Sequence, residues 1–126
     1  MGTMSFTMGL VVVGALAGQA LAQATPDIDH GRAVFRLWCA GCHNPNPALQ
    51  RNGQDLVGRV FAGTYTLEQR YKGTKPAALE ERKDLSPSDV RFVVRHGLNM
   101  MPLSRKTEIS DEDLDDVAAY LTRNNR

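Results

Sequence analysis

The only two cysteines of this 126-residue chain stand three positions apart, in Cys39-Ala40-Gly41-Cys42-His43, so no disulfide can close a long loop. A domain of this size buries a modest share of its surface and often needs a staple or a bound group to complete its core. The pentapeptide offers such a group a foothold. Two thiols can add across the two vinyl groups of a haem, and His43 can then bind the iron. C-x-x-C-H reads as a c-type haem attachment site, and imidazole suits iron. A thioredoxin-type redox pair would expect a preceding strand in a βαβ setting, and none is visible. A zinc site would use Cys39, Cys42 and His43 but finds no fourth ligand at a convincing spacing.

The motif follows a leader-like segment. Residues 1–24 carry no charged side chain, and Phe6 to Ala17 is an almost unbroken apolar run. Ala20-Leu21-Ala22 and Ala22-Gln23-Ala24 both present small residues in the register used for cleavage. The run falls short of the roughly 18–20 apolar residues needed to span a bilayer. The expectation is a cleavable signal over residues 1–24, cut after Ala22 or Ala24, with no permanent membrane anchor. Residues 25–126 then form one domain, placed in the periplasm. Lys+Arg 15 against Asp+Glu 14 is a near-neutral balance. It argues against nucleic acid as a partner, where a basic footprint is expected.

Periodicity predicts helices and no strands. A first helix is expected from His30 to Cys39, capped by Asp29, with Gly31, Val34, Phe35 and Trp38 near one side. Gly31 in that row suggests close approach of another helix, because it has no side chain. From Asn44 to Asp84 the chain is polar and rich in Pro and Gly, too long a stretch to lie structureless in a compact domain. One short helix is expected there, Leu67 to Tyr71 capped by Thr66. Turns are expected at Asn44–Pro47 and Gly73–Pro76, then a turn of helix through Ala77, Leu79 and Arg82.

Ser86-Pro87-Ser88-Asp89 is a helix start with its cap, first-turn proline and acid. Val90, Val93 and Val94 follow as an apolar stripe until Gly97 stops the helix. A last helix opens at Ser110-Asp111-Glu112-Asp113, where acids favour the positive end of the dipole. Its buried face is Leu114, Val117, Ala118 and Leu121, with Tyr120 beside them.

An electron-transfer haem wants both axial positions filled by protein, and a thioether raises the potential. Met100-Met101-Pro102 lies in the loop after Gly97, where a ligand can be presented outside a core-facing helix. Met101 is the expected ligand, since Pro102 denies it the αR conformation. Met100 is the rival, with packing at the haem edge as its expected role. His30 and His96 read as surface or capping residues. The second ring nitrogen of His43 needs an acceptor, for which the carbonyls of Pro45 and Pro47 are both candidates. Arg59, Tyr65, Arg70, Tyr71 and Lys72 are possible donors to the propionates, and Trp38 is expected near the porphyrin.

Gly31, Phe35, Cys39-x-x-Cys42-His43, Met101-Pro102, and Ser110-Asp111-x-Asp113 through Val117-Ala118-Ala119-Tyr120-Leu121 together resemble the class I cytochrome c family. The resemblance covers nearly all of residues 25–126. It implies an all-α fold of three to five helices around one covalent haem c, held through Cys39 and Cys42 with His43 and Met101 on the iron. It also implies first and last helices that cross with Gly31 and Phe35 against Tyr120. The Gly-Pro-x-Leu loop frequent in that family is replaced here by Asn52-Gly53-Gln54-Asp55-Leu56-Val57-Gly58. Arg70–Gly73, Pro76–Arg82 and Arg91–Gly97 are similar to small cytochrome subunits of dehydrogenases, including those of para-cresol methylhydroxylase-type flavoenzymes. The implied function is one-electron transfer without catalysis. Electrons would pass from a periplasmic flavoprotein or quinoprotein dehydrogenase to a downstream cytochrome or copper protein. A tightly bound subunit of such a dehydrogenase is the alternative.

Overall fold

The computed structural model describes Gly2, residues 25–46 and residues 61–125. The leader, the 52–58 loop, Pro47 and Arg59 lie outside the described residues. Helix α1 spans Ile28–Val34 and passes through a π-helical turn, Phe35–Cys39, into a short α2, Ala40–His43. Next come α3 (Ala62–Tyr71), a 3₁₀ turn (Leu79–Glu81), α4 (Pro87–His96) and α5 (Asp111–Thr122). Among the described residues the only β feature is one isolated bridge, between Leu98 and Met101. The fold is all-helical, as expected.

The first helix starts two residues before the predicted position. Asp27, not Asp29, is its cap, its carboxylate accepting from the Asp29 and His30 N–H groups. Asp29 instead sits in the first turn, where its charge meets the helix dipole. The helical path then continues past Cys39 because the chain inserts a wider turn, the Ala40 N–H reaching back to the Phe35 carbonyl. Such π turns recur at functional sites, and here one feeds directly into the Cys39–His43 motif.

The core lies where α1 crosses α5 and α4 leans on α5. A side chain on Gly31 would collide with the Asp116 carbonyl and stand 3.0 Å from Tyr120 Cβ. Glycine is therefore what lets the two backbones meet. Phe35, 1% exposed, packs its ring 5.9 Å from that of Tyr120. Val34, Ala40, Val90, Val94, Ile109, Leu114, Val117, Ala118 and Leu121 complete the cluster. Burying a side chain of this size contributes roughly 1.5–3 kcal/mol each. Val93 and Trp38, expected on the apolar stripes, are half-buried and exposed respectively.

Both later helices carry the reciprocal caps read from sequence. The Asp89 N–H donates to Ser86 Oγ at 3.1 Å, and the Asp113 N–H to Ser110 Oγ at 3.0 Å. Each acid in turn accepts from the backbone N–H of its capping serine.

Helix α3 departs most from expectation. It begins at Ala62, not Leu67, and Thr66 caps nothing; its hydroxyl donates to the Ala62 carbonyl one turn back. Tertiary bonds fix its start instead. Thr64 Oγ1 donates to the Asn44 carbonyl at 2.7 Å, and buried Asn46 accepts from the Phe61 N–H at 2.6 Å. The helix ends with Lys72 in the left-handed region and Gly73 at φ 80°.

Candidate haem site

The π turn and α2 present Cys39, Cys42 and His43 from one helical end. Cys39 is half-buried and packs on the core, whereas Cys42 is exposed. Burial first, and the neighbouring Cys42 second, push the Cys39 thiol up to about 11. His43 is half-buried, and burial lowers its pKa below the ordinary histidine value. A neutral imidazole is the form that binds a metal.

The first turn of α3 backs onto that imidazole. A Cβ on Gly63 would lie 2.6 Å from His43 Cε1, 2.9 Å from His43 Nδ1 and 2.8 Å from the Cys42 carbonyl. No side chain fits between α3 and the motif, so Gly63 is what allows the close seat. Sequence reading missed this residue. A glycine inside a helical segment was the available signal, but the segment itself had not been recognised as helical. Thr64 and Asn46, which bind α3 to residues 44–46, were missed for the same reason.

His43 Nδ1 is buried and has no hydrogen-bond partner among the described residues. The Pro45 carbonyl, one of the two expected acceptors, does not take that role; Pro47, the other, lies outside the described residues.

Met101 sits on a tight loop that opens after α4. Gly97, at φ 73°, allows the exit; a Cβ there would stand 2.7 Å from the Met101 carbonyl. The Leu98 N–H donates to the Met101 carbonyl at 3.1 Å and the Met101 N–H to the Leu98 carbonyl at 3.0 Å. Asn99 takes the positive φ, 54°, that the turn between them requires. Met101 is half-buried and packs on the same core as Cys39. Met100 is 91% exposed. His30 bonds Asp116 and His96 the Phe92 carbonyl, in keeping with their surface and capping roles. Among the expected propionate donors, Tyr65, Arg70 and Lys72 are exposed, while the Tyr71 hydroxyl accepts from Arg82.

These residues fit a haem. The donors have the right chemistry: two thiols, a neutral imidazole, and a thioether on a constrained loop. Large exposed apolar side chains flank them in the chain, Leu37 and Trp38 before Cys39, and Leu98 and Leu103 around Met101. An apolar group seated between them would remove that exposure from water. Among the described residues, no group of three or more His, Cys, Asp or Glu side chains offers a different metal site.

The sequence of residues 26–121 matches the family model described as cytochrome c oxidase, cbb3-type, subunit III. The chain belongs to this family. Like this cbb3-type subunit III match, a second comparison points to the c-type cytochromes. The chain is 29% identical over 112 residues to cytochrome c6 of Synechocystis sp. (strain ATCC 27184 / PCC 6803 / Kazusa), covering 89% of this chain and 78% of that protein. No solved structure gives a significant match. The cbb3-type family member described here is thus a small, mostly helical domain related to class I c-type cytochromes, with a general redox role in electron transfer. No helix among its described residues is long and apolar enough to cross a membrane.

Proposed function

We propose that this chain is an exported, single-haem c-type cytochrome that carries electrons one at a time between protein partners. Cys39 and Cys42 would hold the haem covalently, and His43 and Met101 would bind its iron. When bound, it supplies a one-electron Fe(III)/Fe(II) couple. The chain's own residues do the rest. Gly63 and the α3 start back the imidazole, and burial keeps His43 neutral. Met101, a thioether, would favour a raised potential and, when bound to the iron, would keep oxygen and peroxide from it. The observation that supports this most is the seat of His43 beside the two thiols on one short helical end, with burial favouring the neutral imidazole.

The electron donor in this reading is a periplasmic flavoprotein or quinoprotein dehydrogenase, and the acceptor a cytochrome or copper protein. Met100, 91% exposed on the Met101 loop, suits a protein contact at that edge. A permanently bound subunit is the second reading, favoured by a family described as an oxidase subunit. Copurification with a large enzyme supports the subunit; a monomer that serves several partners supports the carrier.

Replacing Met101 and Met100 separately by Ala tests the ligand assignment. Met101→Ala is expected to abolish the Met-to-iron charge-transfer band and to admit carbon monoxide to the reduced protein. Met100→Ala should leave both unchanged. Loss of the band in the Met100 variant, with the Met101 variant intact, reverses the assignment.

A further inference from the structure

The loop that carries Met101 is fastened at points far apart in the chain, and one side chain joins them. Arg95, in the last turn of α4, is mostly shielded from solvent, its side chain 18% exposed. Its Nη1 donates to the Ser104 carbonyl at 3.1 Å. Its Nη2 donates to the Ser110 carbonyl at 3.1 Å and to Asp111 Oδ1 at 2.9 Å. Ser104 lies three residues beyond Met101, and Ser110 is the cap residue of α5. Ser104 is also held from its other side, its N–H donating to the Val94 carbonyl at 2.8 Å. The residues from Gly97 to Ser104 thus form a closed loop returning to the end of α4, with the Leu98–Met101 pair inside it.

We propose that Arg95 is a positioning residue for Met101, a guanidinium clamp that holds the thioether loop in one geometry and resists its displacement from the iron. The proposal rests on Met101 being the axial ligand. A planar guanidinium suits the task because its diverging N–H groups serve two carbonyls and a carboxylate together, which an ammonium on a flexible stem does less well. Bonds from a charged donor are also the stronger kind. Lys106 meets Asp111 from the solvent side, but it touches neither carbonyl and cannot substitute for the clamp.

The haem-loaded protein carrying Arg95→Gln or Arg95→Lys tests this, with exogenous imidazole as the competing ligand. In Arg95→Gln the apparent imidazole affinity rises roughly five- to tenfold, the effect of losing the net contribution of about one ordinary hydrogen bond, since the glutamine amide keeps part of the clamp. Arg95→Lys rises less, and amide exchange at Met101 and Ser104 quickens in both. In urea the charge-transfer band disappears at a lower concentration than the helical signal, with a wider gap than in the unaltered protein. Unchanged imidazole affinity and exchange overturn the proposal. So does an equal fall of the band and helix midpoints, which marks a general loss of stability. Met101→Ala separates the two claims. If that variant keeps the band, the ligand assignment fails; if it loses the band while both Arg95 variants behave normally, the clamp alone fails.

Discussion

Gly63 has only a hydrogen where any other residue would place a carbon 2.6 Å from the His43 ring. Gly63→Ala forces either the imidazole to turn or the α3 start to lift, and lifting it strains the Thr64–Asn44 bond. Overpacking of this kind costs about 1–3 kcal/mol. The expected result is a lower urea midpoint together with displaced His43 ring resonances in the oxidised, haem-loaded protein, while the Met101 charge-transfer band persists. A variant of unchanged stability and unchanged ring signals contradicts the close seat. At this scale the sequence revealed the reactive groups and concealed their supports. Cys39, Cys42 and His43 are legible because their spacing is chemical. Gly63, Thr64, Asn46 and Arg95 matter through partners distant in the chain, and no local pattern marks them.

The helices differ in legibility for a physical reason. Those that begin at Ser86 and Ser110 carry their own caps, so a local reading finds them. Helix α3 has no side-chain cap and is fixed by bonds to residues 44–46. The α1–α5 crossing was visible through Gly31, but its polar seam was not. There His30 Nδ1 meets Asp116 Oδ2 at 2.8 Å, and Asp116 Oδ1 accepts from the Asp27 N–H at 2.7 Å. The hydrogen bond to Asp116, then the charges of Asp116, Asp113 and Asp27, raise the His30 pKa above its ordinary value. Folding therefore favours the protonated ring. Its contribution is complete below the unfolded value of about 6.5 and is lost as pH rises through the higher folded value. Stability measured from about pH 6 to about pH 9 is expected to fall more steeply for the unaltered protein than for His30→Gln. Identical slopes contradict this role for the seam.

Across the whole molecule, one small core serves both sides of the candidate site: Cys39 and Met101 pack against the same cluster, built from α1, α4 and α5. A chain of this size whose two cysteines stand three positions apart closes no long loop by a disulfide. In the proposed reading, a covalent haem would supply both the missing apolar contact and the redox function. The most direct test is the intact mass of the protein recovered from a periplasmic fraction, paired with its reduced absorption spectrum. The account predicts a polypeptide heavier by one haem, lost from residue 1 up to Ala22 or Ala24, and a low-spin c-type spectrum. A bare polypeptide, with both thiols free or bridged to one another, contradicts it.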